Sequence, residues 1–125
     1  MSFLRTLGST NIEVSAIGLG SVKFGRDQDL KYPSSFIIPD DNAVLNLLAQ
    51  ANELGINFID TAPAYGNSEE RIGALLTKRQ DWIISTKIGE EFIDAESIFD
   101  FTATHTQLSV ERSLKRLNTD YLDIV

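Results

Sequence analysis

The stretch FIDTAPAYGNSEERIG, residues 58–73, decides the fold because it leads from a buried strand through a polar loop into a helix. The apolar run INFI, residues 56–59, stops at Asp60, and Tyr65 follows five residues later. Apolar side chains at helical spacing then predict a helix over 68–79. A carboxylate where a buried strand ends, with a phenol just beyond it, indicates that this end of the strand carries chemistry.

Strands and helices alternate on both sides of this stretch. Short apolar runs predict strands, and apolar residues three and four apart predict helices: strands 16–20, 56–59, 81–89 and 121–125, and helices 40–55, 68–79 and 104–118. Asp40 or Asp41 is the expected cap of the first helix, and Gly55 closes it. Thr104 with Gln107 fits a capping box at the start of the third helix. This alternation predicts a parallel α/β sheet with right-handed crossovers.

Three other segments complete the chain. Within residues 3–14, two short stretches of alternating apolar and polar residues flank a turn, which predicts a β-hairpin. Residues 21–40 contain two prolines and show no clear period, as in a functional or mobile loop or a solvated insertion. Residues 90–101 are acidic, and we expect irregular structure there.

Composition excludes several classes of function. The chain has 125 residues, 42% of them hydrophobic and 23% charged, which suits one soluble globular domain at most. Its net charge of −7 argues against nucleic acid and anionic membrane surfaces as partners. It has no cysteine and one histidine, so we expect neither disulfides nor a metal site. Without a recognisable signal peptide or membrane span, the expected compartment is the cytoplasm.

Candidate site residues follow the predicted strands. Ser21 and Val22 come after the first strand, Asp60 and Tyr65 after the second, and Lys87 near the end of the third. Two closures of the sheet stay open, a doubly wound sheet or a (β/α)8 barrel. In both, ligands bind at the carboxyl ends of the strands, so we expect these residues to converge.

An acid, a phenol and an amine have a definite use together. A free tyrosine has a pKa near ~10, and a nearby ammonium lowers the pKa of a phenol by favouring the phenolate. Asp60 would keep Lys87 charged, and Tyr65 would protonate an oxygen as hydride adds to a carbonyl. Each residue also has an ordinary interpretation: Asp60 as a loop brace, Tyr65 as a loop aromatic and Lys87 as a solvent-exposed lysine.

Several stretches resemble the aldo-keto reductase superfamily. FIDTAPAYGNSEERIG is similar to its loop D-T-A-x-x-Y-G-x-S-E, and IISTKIG, GLGSVKFG and SVERSLKRLNTDYLDIV resemble other family segments. The resemblance covers nearly the whole chain, with 26–39 the least typical part. It implies a (β/α)8 TIM barrel with an N-terminal β-hairpin, of which residues 1–125 are about the first half, β1 to β4. The hairpin would be 3–14 and the barrel units 16–125.

The resemblance also implies an activity. The family reduces aldehydes and ketones, or oxidises alcohols, with NADPH or NADH and without metal, so the implied partner is a small carbonyl substrate. Asp60, Tyr65 and Lys87 match three members of its catalytic tetrad, and Ser21, Val22 and Asp60 would line the nicotinamide ribose. The fourth member, a histidine after the fourth strand, has no counterpart in this sequence. His105 precedes that strand, and we interpret it as a surface or capping residue.

Two further hypotheses remain open. The first is a non-enzymatic barrel that binds nicotinamide cofactor and serves as a regulatory or scaffold subunit. The second is an inactive fragment that self-associates through an uncovered sheet edge.

Overall fold

The central feature of the computed structural model, which describes residues 3–125, is a three-stranded parallel sheet. Its strands lie side by side in chain order: β3 (Leu19–Gly20), β4 (Phe58–Asp60) and β5 (Ile83–Ser85). Ile124 continues this order through a parallel bridge to Ser85. In a doubly wound sheet the strand order reverses at a switch point. Among the described strands there is no such reversal. Barrel-like winding is therefore favoured.

The N-terminal hairpin is confirmed, and it lies at the amino end of the sheet. Its strands β1 (Leu4–Thr6) and β2 (Glu13–Ser15) pair antiparallel. Asn57, just before β4, accepts a hydrogen bond from the Ser15 N–H at 2.7 Å and donates to the Glu13 carbonyl at 3.0 Å. These bonds hold the hairpin at the opposite end of β4 from Asp60.

Three helices connect the strands: α1 (Asp41–Glu53), α2 (Ser68–Leu75) and α3 (Ala103–Arg116). The residues predicted to begin and end α1 are confirmed. The Asp40 carboxylate accepts from the Ala43 N–H at 2.8 Å. Gly55 has φ +79°, a left-handed conformation that other residues rarely adopt.

A single hydrophobic core lies between the helices and the sheet. Its buried members come from the 3-10 turn after β3, from α1, α2, β4 and β5, and from residues adjoining β5 and α3, namely Phe24, Val44, Leu48, Ala51, Ile59, Ile72, Trp82, Ile84 and Leu117. Burying one such large side chain stabilises the fold by about 1.5–3 kcal/mol. This core fixes the relative positions of β4 and β5, whose carboxyl ends carry the candidate site.

The prediction of irregular structure over 90–101 was wrong. The strands β6 (Glu90–Ile93) and β7 (Glu96–Phe99) form an antiparallel hairpin directly after β5. Its two-residue turn places Asp94 at φ +51° and Ala95 at φ +63°. Positive φ at both central residues is the requirement of a type I′ turn, one of the two turn types favoured in two-residue hairpin loops.

Two helix boundaries also differ from prediction. Helix α2 ends at Leu75 rather than at residue 79, and Lys78 takes a left-handed φ of +57° before a short 3-10 turn leads to β5. Helix α3 is capped by Thr102, whose hydroxyl accepts from the His105 N–H at 3.2 Å. The capping box predicted for Thr104 is therefore wrong, because Thr104 already lies inside the helix.

The segment 21–40 is irregular apart from a 3-10 turn over Val22–Phe24. Two of its aromatic rings, Tyr32 and Phe36, meet edge to face with centroids 5.7 Å apart. The Lys23 ammonium lies 4.3 Å from the Tyr32 ring centroid and 4.7 Å from that of Phe36. Within residues 3–125, no helix has the length and apolar character that crossing a membrane would require.

Candidate active site

An ion pair joins the carboxyl ends of β4 and β5. Asp60 is the last residue of β4, rather than the first residue beyond it, and it lies opposite Ser85 of β5. The Lys87 ammonium donates to both carboxylate oxygens of Asp60, at 2.8 and 2.9 Å, and to the Thr61 carbonyl at 2.9 Å. The two side chains are 41% and 46% exposed, so the pair is open to solvent and to a ligand.

Tyr65 lies beside this pair. Its ring centroid is 5.1 Å from the Lys87 nitrogen, and the side chain is half-buried. Two backbone hydrogen bonds fix the loop that carries Tyr65. The Tyr65 N–H donates to the Ala62 carbonyl at 3.1 Å, and the Ser68 N–H donates to the Tyr65 carbonyl at 3.1 Å. The structure thus brings together the acid, the phenol and the amine that the sequence singled out.

Ser21 and Val22 lie next to β4 but differ in access. Ser21 is 0% exposed, and its N–H and hydroxyl both donate to the Asp60 carbonyl, at 2.9 and 2.8 Å. The Ser68 hydroxyl donates to the Ser21 hydroxyl at 2.8 Å. Val22 is half-buried and begins the 3-10 turn. The Ser21 side chain therefore holds the backbone of Asp60 in place.

Sequence reasoning missed a buried carboxylate behind the site. Glu69 is 1% exposed and accepts from the hydroxyls of Thr86, at 2.6 Å, and Ser113, at 2.8 Å. Arg116 approaches its second oxygen at 3.4 Å. The available signal was its position three residues before Ile72, on the apolar face of α2. Glu69 connects β5, α2 and α3.

His105 lies away from the Asp60–Lys87 pair, in the first turn of α3. Its ring is largely buried rather than on the surface, with Nε2 3.4 Å from Glu91 and Nδ1 4.0 Å from Asp100. Hydrogen bonds from the Thr102 backbone and hydroxyl hold the pKa of Asp100 below its usual value. Across the described part of the chain, no three acidic or His side chains are grouped so as to hold a metal ion.

Comparison with known proteins identifies the family. The model of the Aldo/keto reductase family matches residues 16–125. The chain belongs to the aldo/keto reductase family. In the family's (β/α)8 barrel, the parallel strands described above are the first strands, and only part of the barrel is present here. The fold predicted from the sequence is thereby confirmed.

Several relatives match nearly the whole chain. L-galactose dehydrogenase of Arabidopsis thaliana is 40% identical over 129 residues, covering 98% of this chain and 36% of that protein. NADH-specific methylglyoxal reductase of Escherichia coli is 33% identical over 132 residues, covering 94% of this chain and 39% of its own length.

Solved aldo-keto reductase structures agree with this assignment. An aldo-keto reductase structure from Pseudomonas aeruginosa superposes with a TM-score of 0.85 at 57% identity, covering 95% of this chain and 43% of that one. A holo-form aldo-keto reductase from Bacillus halodurans gives a TM-score of 0.77 at 31% identity, covering 95% and 37%. The chain therefore spans about two fifths of the length of the family members it matches.

Proposed function

We propose that this chain supplies the proton-donating part of an NAD(P)H-dependent carbonyl reductase site, with Tyr65 as the general acid. The observation that carries the proposal is the position of the Lys87 ammonium, which donates to the Asp60 carboxylate and lies 5.1 Å from the centroid of the Tyr65 ring. The activity belongs to the complete protein, of which residues 3–14 would be the closing hairpin and 16–125 the first barrel units.

Lys87 would act through its charge rather than through a hydrogen bond. An ammonium has three N–H donors. In this structure they have three acceptors, the two oxygens of Asp60 and the carbonyl of Thr61. The ammonium is thus held in one place, with its charge 5.1 Å from the centre of the Tyr65 ring. A fixed positive charge stabilises the negative charge that develops on the phenol as the proton leaves.

The proposed cofactor is NADPH or NADH, which when bound supplies the hydride. The open end of the sheet fits such a group, because the Asp60 and Lys87 side chains there are accessible. Asp60 and Val22 would contact the nicotinamide ribose. Ser21, whose hydroxyl is buried and engaged, would support that contact by holding the Asp60 backbone.

The proposed substrate is a small aldehyde or ketone. Tyr65 would donate its hydroxyl proton to the carbonyl oxygen as that oxygen gains charge. Among the relatives, one is named for L-galactose and another for methylglyoxal. Both names describe small polar compounds, and we propose this substrate class for the first assays.

Replacement of Tyr65 tests the proposal. In the complete protein, Tyr65→Phe removes the transferable proton and keeps the ring, so kcat for carbonyl reduction should fall by about 10²–10⁴-fold. NADPH affinity, measured by fluorescence titration, should stay the same. Tyr121→Phe is the matched control, because the Tyr121 ring stacks on Arg79, away from the Asp60–Lys87 pair. Reduction by Tyr65→Phe near the unmutated rate would exclude Tyr65 as the acid.

A further inference from the structure

We infer that Arg26 is a positioning residue that holds the Tyr65 loop in its reactive geometry. Arg26 itself lies in the segment that follows the neighbouring strand, β3. The role of Tyr65 as general acid is the proposed function above, and this inference rests on it. Arg26 is the first residue of the segment 26–39, the part of the chain least like the family pattern. It is 7% exposed although it carries a charge.

The side chain of Arg26 connects three segments that follow three strands. Its Nη1 donates to the carbonyl of Ala64, the residue before Tyr65, at 3.1 Å. Its guanidinium carbon lies 3.5 Å from the ring centroid of Phe92 in β6. Within its own segment, Nε donates to the Gln28 carbonyl at 2.9 Å. One side chain therefore links the loops after β3 and β4 with the hairpin strand β6, which follows β5 in the chain.

The local charges fit a permanently charged guanidinium. Its Nη2 donates to the Asp29 carbonyl at 3.3 Å and lies 3.6 Å from the Asp29 carboxylate, and Nη1 is 3.9 Å from the Glu90 carboxylate. Asp29 has a left-handed φ of +50°, which is uncommon outside glycine. A bond to its carbonyl helps to hold this turn.

Arginine is the one side chain suited to this position. Its planar fork presents five N–H donors, and its flat face stacks on aromatic rings. Lysine keeps the charge but has neither the fork nor the flat face. Arg26→Lys therefore separates the geometry of the contact from its charge.

A second contact fixes the other side of Tyr65. Gly25 and Gly66 approach so closely that a Cβ on Gly25 would collide with the Tyr65 carbonyl, and one on Gly66 with the Gly25 carbonyl. Gly66 also has φ +60°. The residues before and after Tyr65 are thus both held by residues 25–26.

This arrangement has a consequence for the reaction. Tyr65 must keep its hydroxyl at a fixed distance from the carbonyl oxygen, and a displacement of about 1 Å can cost about 10²-fold in rate. The hydrogen bonds and ion pairs of the Arg26 side chain within residues 3–125 include neither of the other two proposed catalytic side chains, Asp60 and Lys87. Arg26 therefore acts on the reaction through the Tyr65 loop.

The test compares Arg26→Met and Arg26→Lys in the complete protein, with Arg5→Met as the control. The Arg5 side chain is exposed on the N-terminal hairpin and donates to the adjacent Leu4 carbonyl at 3.1 Å. The measurements are kcat, the two KM values, and amide hydrogen exchange of residues 61–67 followed by mass spectrometry.

Arg26→Met should lower kcat by about 10–100-fold while KM for NADPH changes by less than about threefold. Exchange over 61–67 should rise about tenfold, as expected when a hydrogen bond to a charged group is lost. Arg26→Lys should share both changes, and Arg5→Met neither. If Arg26→Met does not fold, Arg26→Lys decides by the same measurements.

Two results would overturn the inference. The first is an Arg26 variant whose kcat and whose amide exchange over residues 61–67 both equal those of the unmutated protein. The second is exchange raised evenly over the protein with kcat per folded molecule unchanged, which indicates a general structural role. If the unmutated protein reduces no carbonyl, the proposed function fails. The exchange of residues 61–67 then decides alone: a local rise supports positioning by Arg26, and unchanged exchange contradicts it.

Discussion

Two carboxylates of this chain, Asp60 and Glu69, each pair with a cationic side chain, but one pair is exposed to solvent and the other carboxylate is buried. Asp60 is 41% exposed and pairs with the ammonium of Lys87. Glu69 is 1% exposed and is surrounded by two hydroxyl donors and the guanidinium of Arg116. Asp60 ends a strand where ligands bind in parallel α/β folds, whereas Glu69 lies behind the sheet among three elements.

The contrast separates the ion pair that we propose to be catalytic from a buried structural one. An exposed pair contributes little to stability, since water screens it, and its charges remain available to a ligand. A buried carboxylate must have all its partners, because an unpaired charge or donor inside a protein is costly. Accessibility, rather than residue type, is the basis on which we propose different roles for the two carboxylates.

The largest expected effect on stability belongs to Glu69→Ala. Removal of the carboxylate leaves the buried hydroxyls of Thr86 and Ser113 without their acceptor. The free energy of unfolding, measured by urea denaturation of the complete protein, should fall by about 1–3 kcal/mol for each hydroxyl left unsatisfied.

Asp60→Ala is the matched variant, and it should lower the free energy of unfolding by only about 0.2–1 kcal/mol because its pair is exposed. Its carbonyl reduction should nevertheless fall sharply, since Lys87 loses two of its acceptors. Equal losses of stability in Glu69→Ala and Asp60→Ala would refute the distinction.

A smaller effect is expected at a third carboxylate, Asp40, which is exposed yet structural. Its side chain accepts from the Ala43 N–H at the start of α1. Asp40→Ala should cost about 1 kcal/mol of stability, the usual value of a helix cap, and should leave kcat unchanged. Asp40→Asn keeps the acceptor and should restore most of that loss. A fall in kcat with either variant would contradict the claim that Asp40 serves only as a helix cap.

Features set by local sequence could be predicted, as α1 shows. Its cap, Asp40, and its closing glycine, Gly55, have strong positional preferences of their own. The strand–helix alternation likewise predicted the parallel sheet, and with it the meeting of Asp60, Tyr65 and Lys87. Their catalytic roles stay a prediction until the variants are assayed.

The hairpin β6–β7 was missed because its turn lacks the usual glycine or asparagine signal. Asp94-Ala95 adopts the required positive φ values without it, and alanine rarely does so. At α3, threonines 102, 104 and 106 all resemble caps. The choice of Thr102 follows from the preceding hairpin, whose end is held by the Asp100 N–H bonding to Gly89 at 2.8 Å.

The contacts of Arg26 and Glu69 could not be predicted from the sequence. Arg26 bonds the carbonyl of Ala64, 38 residues away, and Glu69 bonds Ser113, 44 residues away. Backbone carbonyls and hydroxyls have no distinctive sequence pattern, so long-range partners of this kind appear only in the folded structure.

A double-mutant cycle on Tyr65 and Lys87 tests the central claim most directly. Single-turnover hydride transfer would be measured in the complete protein for Tyr65→Phe, for Lys87→Met and for the pair. If Lys87 acts through Tyr65, the double variant should be about as slow as the slower single variant, because residues that act as a unit are non-additive. Fold losses that multiply would show that the two residues act independently, and would contradict the account.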